Sequence, residues 1–160
     1  MGKISHRFPQ IFVAIYSGCL SEISNIRQFG FWLLNHAAFE DVPVEKPNEA
    51  GILITIDPNS KAAGIVFGYL LDPFLDESDT FECLSRAHAY WLEGRYCDGV
   101  LRTLAHLDLI LRKRSRQARR DPEYFENRLS LPTQKADTIR PIRENHLPIH
   151  NKPKVREVSQ

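Results

Sequence analysis

The stretch GILITIDPNSKAAGIVFGYLLDPFLDE, from Gly51 to Glu77, decides the fold of this chain. Two short apolar runs, Ile52 to Ile56 and Ala63 to Tyr69, flank the segment Asp57-Pro58-Asn59-Ser60-Lys61. Proline fixes one backbone dihedral, and Asn and Ser side chains offer local hydrogen bonds, so this segment has the composition of a turn. The pattern predicts a β-hairpin whose two strands pair antiparallel, with Asp57 as a turn residue.

The residues before the hairpin predict a strand followed by a helix. The run QIFVAIY, Gln10 to Tyr16, is short and rich in β-branched and aromatic residues, and it stops at Ser17-Gly18. From Leu20 to Ala38, apolar residues recur with a helical period. Because a strand, a crossover helix and a second strand form a parallel pair, the hairpin should complete a small mixed sheet.

Two further helices are predicted after the hairpin. The first begins at Ser78 or Asp79, with Glu82 as a capping-box partner, and ends at Gly94. Its inward stripe is predicted to be Phe81, Leu84, His88 and Trp91. The second runs from about Cys97 to Ala118 and is predicted to point Val100, Leu101, Leu104, Leu107 and Leu111 inward. The order β-α-β-β-α-α predicts an α/β sandwich of two or three layers, a small mixed β-sheet covered by helices.

Composition divides the chain into three parts. Residues 1–9 read as an N-terminal extension and residues 10–120 as one α/β domain. Residues 121–160 are basic and rich in proline, with few large apolar residues, so we expect a flexible C-terminal arm. Within that arm, the segment EYFENRL is predicted to extend a last helical turn.

The charge, the apolar segments and the cysteines of the chain limit the classes of protein to which it can belong. Lys and Arg number 21 against 20 Asp and Glu, a formal charge of +1, so the average charge argues neither for nor against an anionic partner. No window reaches the roughly 18–20 apolar residues of a membrane span, and the first ten residues lack a signal peptide's apolar region. We therefore expect a soluble, cytoplasmic chain. The widely spaced Cys19, Cys83 and Cys97 are expected to be buried free thiols.

The middle of the chain resembles the TPM domain family, whose members include a thylakoid lumen protein, a photosystem repair protein and a receptor modulator. The resemblance covers roughly Gln10 to Arg116, and its matching residues are Asn48 and Gly51, Gly68-Tyr69, Leu71-Asp72 and Leu75, and Gly94, Tyr96 and Gly99. It implies a Rossmann-like α/β sandwich. It also implies divalent cation binding, acid phosphatase activity or an accessory role in membrane complexes, and an exported or membrane-attached location.

A cluster of acidic and amide residues is the first candidate site. Strand polarity places Asp57 at the turn end of the hairpin and Asp72 at the far end, beside Asn48 and Glu49. The candidate ligands of a Ca²⁺ or Mg²⁺ ion are Asn48, Glu49, Asp72, Asp76, Glu77 and Asp79. Such an oxygen-rich set suits hard cations better than zinc or copper. The alternative interpretation is a capped helix start, where carboxylates are favoured without any metal.

Catalytic chemistry has weaker support in the sequence. The chain has no Walker loop and no Gly-x-Ser-x-Gly motif, so no nucleotide or organic cofactor is indicated. His36, His88 and His106 fall on predicted helices and read as core-edge or surface residues. A metal-dependent phosphatase acting on phosphomonoesters requires the acidic cluster to hold a metal ion. No catalytic residue can be assigned from the sequence.

The run RKRSRQARR, from Arg112 to Arg120, is the strongest charge signal in the chain. It predicts a binding surface for a protein partner or an anionic membrane, formed by Arg112, Lys113, Arg114, Arg116, Arg119 and Arg120. The absence of interleaved aromatic residues argues against a single-strand stacking groove, and sequence-specific nucleic acid binding is not expected. The alternative is a solvated helix end, where cations are favoured by the helix dipole. Three functions thus stay open: a cation-holding accessory domain, a phosphatase, and an interaction domain working through the basic helix and tail.

Overall fold

The computed structural model describes residues 2–20, 23–39, 42 and 47–130. The helices and strands of these residues follow in the order α1 (Gly2–Arg7), β1 (Phe12–Ser17), α2 (Ile26–His36), β2 (Gly51–Asp57), β3 (Ala62–Phe67), α3 (Glu77–Leu92), α4 (Tyr96–Arg120) and α5 (Pro122–Ser130). Two short 3₁₀ helices, Asn48–Ala50 and Tyr69–Leu71, lie at the ends of the hairpin strands. The order predicted from the sequence is confirmed from β1 to α4.

The sheet has three strands with β2 in the middle. β2 pairs in parallel with β1 and antiparallel with β3, which confirms the small mixed sheet. The Asp57 carboxylate organises the predicted turn, since it accepts hydrogen bonds from the Asn59 backbone N–H at 3.0 Å and from Ser60 Oγ at 2.6 Å. Asp57 is therefore a turn residue, and the hairpin prediction is correct.

Helices cover both faces of the sheet. Because side chains alternate along a strand, Ile52, Ile54 and Ile56 of β2 point to one face and Leu53 to the other. The isoleucines join a core formed with α1, α3 and α4, while Leu53 packs in a smaller core with Leu34 of α2. The result is a three-layer arrangement in which β2 is buried along its whole length.

Two predicted helix starts are wrong, and capping explains both. α2 begins at Ile26 rather than Leu20, because the Asn25 side chain accepts hydrogen bonds from the backbone N–H groups of Arg27 and Gln28. α3 begins at Glu77 with Asp76 as its N-cap, rather than at Ser78 or Asp79. Asp79 is instead the third helical residue and completes the capping box in the place predicted for Glu82.

The predicted inward stripe of α3 is right for Trp91, which is buried, and for Leu84, which packs against the main core, but it is wrong for Phe81 and His88. Phe81 is 72% exposed and His88 is also exposed, while the buried residues of this helix are Thr80, Cys83, Ala87 and Trp91. The close approach of α4 explains the change, because a Cβ atom at Gly99 would lie 2.6 Å from the Trp91 ring. Gly99 leaves room for the large Trp91 ring, so α3 is rotated with Trp91 toward α4 and Phe81 at the exposed edge of the stripe.

Helix α4 and the chain ends also differ from the sequence prediction. Leu101, predicted to point inward, is 64% exposed, whereas the rest of the predicted α4 stripe is buried or packs against the core. In the segment set apart as an N-terminal extension, Ile4 and Phe8 are buried in the main core.

The predicted last helical turn is the full helix α5, whose buried Phe125 ring stacks on Phe74 at 5.2 Å. The remainder of the predicted flexible arm, residues 131–160, lies outside the described residues. Among the described helices, none is both long enough and apolar enough to cross a membrane.

Candidate functional site

Two of the predicted metal ligands form the capping box of α3. The Asp76 carboxylate accepts hydrogen bonds from the Asp79 backbone N–H at 2.9 Å and from Ser78 Oγ at 2.6 Å. The Asp79 carboxylate in turn accepts from the Asp76 backbone N–H at 3.1 Å. The hydrogen bonds from Ser78 and from the Asp79 backbone hold the pKa of Asp76 below its ordinary value. These contacts match the alternative interpretation, a capped helix start.

The basic run reaches this same capping box. Arg114 Nη2 lies 3.5 Å from Asp79 Oδ2 and 3.6 Å from Asp76 Oδ2. The Asp79 side chain is only 14% exposed, so this contact lies at the edge of the core. Two features that the sequence analysis treated as separate sites are therefore partners in one contact between α3 and α4.

The other predicted ligands have different surroundings. Glu77 accepts a hydrogen bond from Arg27 of α2 at 2.7 Å, and Asn48 donates its side-chain N–H to the Ala37 carbonyl at 3.2 Å. The 3₁₀ helix that holds Asn48 and Glu49 contacts the one that precedes Asp72, as strand polarity predicted. No group of three or more His, Cys, Asp or Glu side chains within the described parts of the chain is arranged to hold a metal ion. Cation binding stays a prediction.

A buried carboxylate binds a second arginine of the basic run, in addition to Arg114. Asp108 is 7% exposed and accepts hydrogen bonds from Arg112 Nε at 2.9 Å and from Arg7 Nη1 at 2.7 Å. Burial by itself would raise the pKa of Asp108, but the hydrogen bonds from the two guanidinium groups outweigh it and lower the pKa. Asp108 thus joins α1 to α4. The sequence does carry a signal for this contact, because a charged residue lies on the apolar stripe of Leu104 and Leu111. The sequence analysis missed this signal.

The four remaining cations of the run are exposed. Lys113, Arg116, Arg119 and Arg120 have no ion-pair or hydrogen-bond partner within residues 2–20, 23–39, 42 and 47–130. At 100° per residue, Arg116 and Arg120 project from the side of α4 that also carries Leu101 and Leu109, which are 64% and 56% exposed. This exposed side of α4, which we call the basic face, also includes Arg102.

An apolar cavity of about 400 Å³ lies behind the basic face. Its walls come from the segment that follows α1, the two 3₁₀ helices with the residues next to them, and α4, with contributions from Phe8, Ile11, Ala50, Leu71, Phe74 and Leu111. Gln10 and Ser115 are its polar lining residues, and Leu70, which is 38% exposed, stands at its edge. The volume falls in the range of small-molecule binding sites. No sequence motif predicts this cavity, because its walls come from four separated segments of the chain.

The thiols and imidazoles form no recognisable catalytic pair among the described residues. Cys83 is buried, as predicted, and burial raises its pKa to about 12. Cys19 and Cys97 are exposed, so the prediction of buried thiols is wrong for them, because they lie at element ends rather than on core faces. His36 Nδ1 donates to the Trp32 carbonyl at 2.8 Å, and His106 Nε2 lies 3.3 Å from Glu82 Oε1.

Comparisons with protein-family models, with curated proteins and with solved structures found no match for this chain. The resemblance to the TPM domain family therefore stays a prediction. Any function must be argued from the geometry of the described residues.

Proposed function

We propose that this protein is a non-enzymatic accessory domain that docks on an anionic membrane surface through the basic face of α4. The observation that carries the proposal is the division of the basic run into two sets. Arg112 and Arg114 are used inside the fold, by Asp108 and by the capping box of α3. Lys113, Arg116, Arg119 and Arg120 are exposed and have no partner among the described residues.

Compensation of the helix dipole explains only some of the cations on the basic face. The dipole favours cations within the last turn of a helix, which covers Arg119 and Arg120 but not Lys113. Lys113 lies two turns before the end of α4, and Arg102 lies near its beginning. A series of cations along one side of a long helix supplies an extended positive surface instead.

The exposed leucines favour a membrane over an acidic protein as the anionic partner. Leu101 and Leu109 are exposed on the same side as the cations. A helix lying on a bilayer places apolar side chains at the boundary of headgroups and acyl chains, while its cations meet the anionic headgroups. An acidic protein surface would use the cations and leave the leucines in water.

Vesicle sedimentation tests this proposal. We expect the protein to sediment with vesicles containing phosphatidylserine, but not with neutral phosphatidylcholine vesicles, and less at high salt because ions screen the attraction. Each basic residue near such a surface contributes about 1 kcal/mol, so Arg116→Glu with Arg120→Glu should weaken binding at least tenfold.

The matched control is Arg27→Glu with Arg86→Glu, which changes the net charge equally at exposed ion pairs away from the basic face. Such exposed pairs contribute little to stability, so this variant should fold and sediment nearly as the parent chain does. Equal loss in both double variants, or capture by immobilised polyglutamate without vesicle binding, would contradict the membrane proposal. Arg114 is a poor test residue because it supports the start of α3.

The two metal-based functions remain predictions with less support. Asp76 and Asp79 are held by each other and by Arg114, and Glu77 is held by Arg27. A cation entering this cluster would have to displace guanidinium groups already in place. No observation among the described residues favours a phosphatase over the binding domain.

A further inference from the structure

The apolar cavity has the chemistry of a lipid site rather than of a polar ligand site. Phe8, Ile11 and Leu71 are buried residues of its walls, and Gln10 and Ser115 supply the polar lining atoms. A polar ligand would lose its hydrogen bonds to water here and gain few in return. An apolar chain gains about 0.8 kcal/mol for each methylene group that it buries.

The cavity adjoins the cations of the basic face. Ser115 of α4 lines the cavity, and Arg119 follows it by four residues, one turn along the same side of the helix. Side chains on a helix lean toward its N-terminus, so Arg119 is directed over the turn that contains Ser115. Helix geometry therefore directs an exposed guanidinium, without a partner among the described residues, toward the Ser115 edge of the cavity.

We infer that the cavity takes one acyl chain of an anionic membrane lipid, whose headgroup pairs with Arg119. This inference rests on the proposed docking of the basic face on a membrane, since the same helix supplies both surfaces. Charge complementarity decides the class of ligand: the apolar walls accept the chain, and Arg119 selects a carboxylate or phosphate over a cationic or neutral head. The lipid would anchor a protein that the remaining cations bring to the surface.

Titration with laurate, below the concentration at which it forms micelles, tests the cavity without any membrane. We expect saturable binding by calorimetry with a negative heat-capacity change, the mark of apolar burial. Dodecyltrimethylammonium, with the same chain and a cationic head, should bind at least tenfold more weakly. Equal binding of the two amphiphiles would overturn the role of Arg119, and absence of laurate binding would overturn the inference as a whole.

Substitutions at the cavity edge test whether laurate binds in this cavity. Ser115→Trp should fill the edge of the cavity and reduce laurate affinity at least tenfold, while Ser85→Trp, at an exposed position of α3, should not. If Ser115→Trp fails to fold, Leu70→Asp serves instead, since Leu70 is partly exposed and a carboxylate there repels the headgroup. Unchanged affinity in the folded variants would overturn the assignment to this cavity.

Different experimental results would reject the membrane-docking proposal and the lipid-cavity proposal. Arg116→Glu with Arg120→Glu should weaken vesicle binding at least tenfold but leave laurate affinity within about threefold, because the cavity walls are unchanged. Laurate binding without vesicle binding would reject the docking proposal alone. Vesicle binding without laurate binding would reject the lipid cavity alone.

Discussion

At the scale of single residues, the two aromatic side chains predicted to lie on the inward stripe of α3 differ in burial. Phe81 is 72% exposed and Trp91 is 2% exposed, although a helical period of 3.6 residues is compatible with burying either one. Trp91 packs against Gly99 of α4, and this contact fixes the rotation of α3 about its axis. A sequence pattern gives the width of an apolar stripe, but it gives no information on which edge of the stripe meets the neighbouring helix.

Replacing each aromatic residue with alanine should lower the free energy of unfolding by very different amounts. Trp91→Ala should lower the free energy of unfolding by about 3–5 kcal/mol, because a large buried side chain leaves a cavity. Phe81→Ala should change it by less than about 0.5 kcal/mol, since an exposed side chain loses little packing. Urea unfolding of the two variants, which serve as each other's control, measures both values. Comparable losses in the two variants would contradict the rotation of α3 described here.

At the scale of elements, the start of α3 shows how a helix cap can resemble a metal site. Asp76 and Asp79 satisfy each other's backbone N–H groups, and Arg114 offsets part of their charge. Carboxylates at this position are favoured by the free N–H groups and by the helix dipole. The acidic composition that suggested a cation site has a structural explanation for these two residues.

Removing the cap should destabilise α3 by a predictable amount. Asp76→Ala should lower the free energy of unfolding by about 0.5–2 kcal/mol, because the Asp79 N–H loses its acceptor. Asp76→Asn keeps an acceptor oxygen and should cost less than half as much. Chemical denaturation of the three proteins measures the difference. If Asp76→Asn costs as much as Asp76→Ala, the capping hydrogen bond is not what makes Asp76 important.

At the scale of the whole molecule, Asp108 joins the two ends of the described chain. Its contact with Arg7 spans 101 positions in sequence and ties α1 to α4, and the segment after α1 and helix α4 both line the cavity. Its pKa is lowered in the folded protein, so the folded state favours the ionised form more than the unfolded state does. The stability from this carboxylate is present above its unfolded pKa, near 3.8, and is lost as the pH falls through the lower folded value.

Asp108→Asn should therefore show its effect mainly at neutral pH. Near pH 7 it should lower the free energy of unfolding by about 1.5–3 kcal/mol, the range for hydrogen bonds to charged groups. The difference from the parent chain should shrink as the pH falls below about 4, because the carboxylate of the unfolded chain takes up its proton there, whereas that of the folded protein does so only at a lower pH. Urea unfolding at pH 7, 5, 4 and 3 measures this trend. A difference that stays constant over this range would show that the ionised form of Asp108 does not supply the stability.

The sequence by itself determined the elements from β1 to α4, their order and the hairpin, because turns and periodic apolar patterns act between residues close in the chain. The Asp57 turn, the mixed sheet and the Gly94 helix end, where φ is 72°, follow from such local rules. Tertiary structure decided which side of α3 is buried, which arginines of the basic run are free for a partner, and where the cavity lies. Arg114 meets Asp79 across 35 positions and Arg7 meets Asp108 across 101. Packing of whole helices sets those meetings, and no local pattern encodes them.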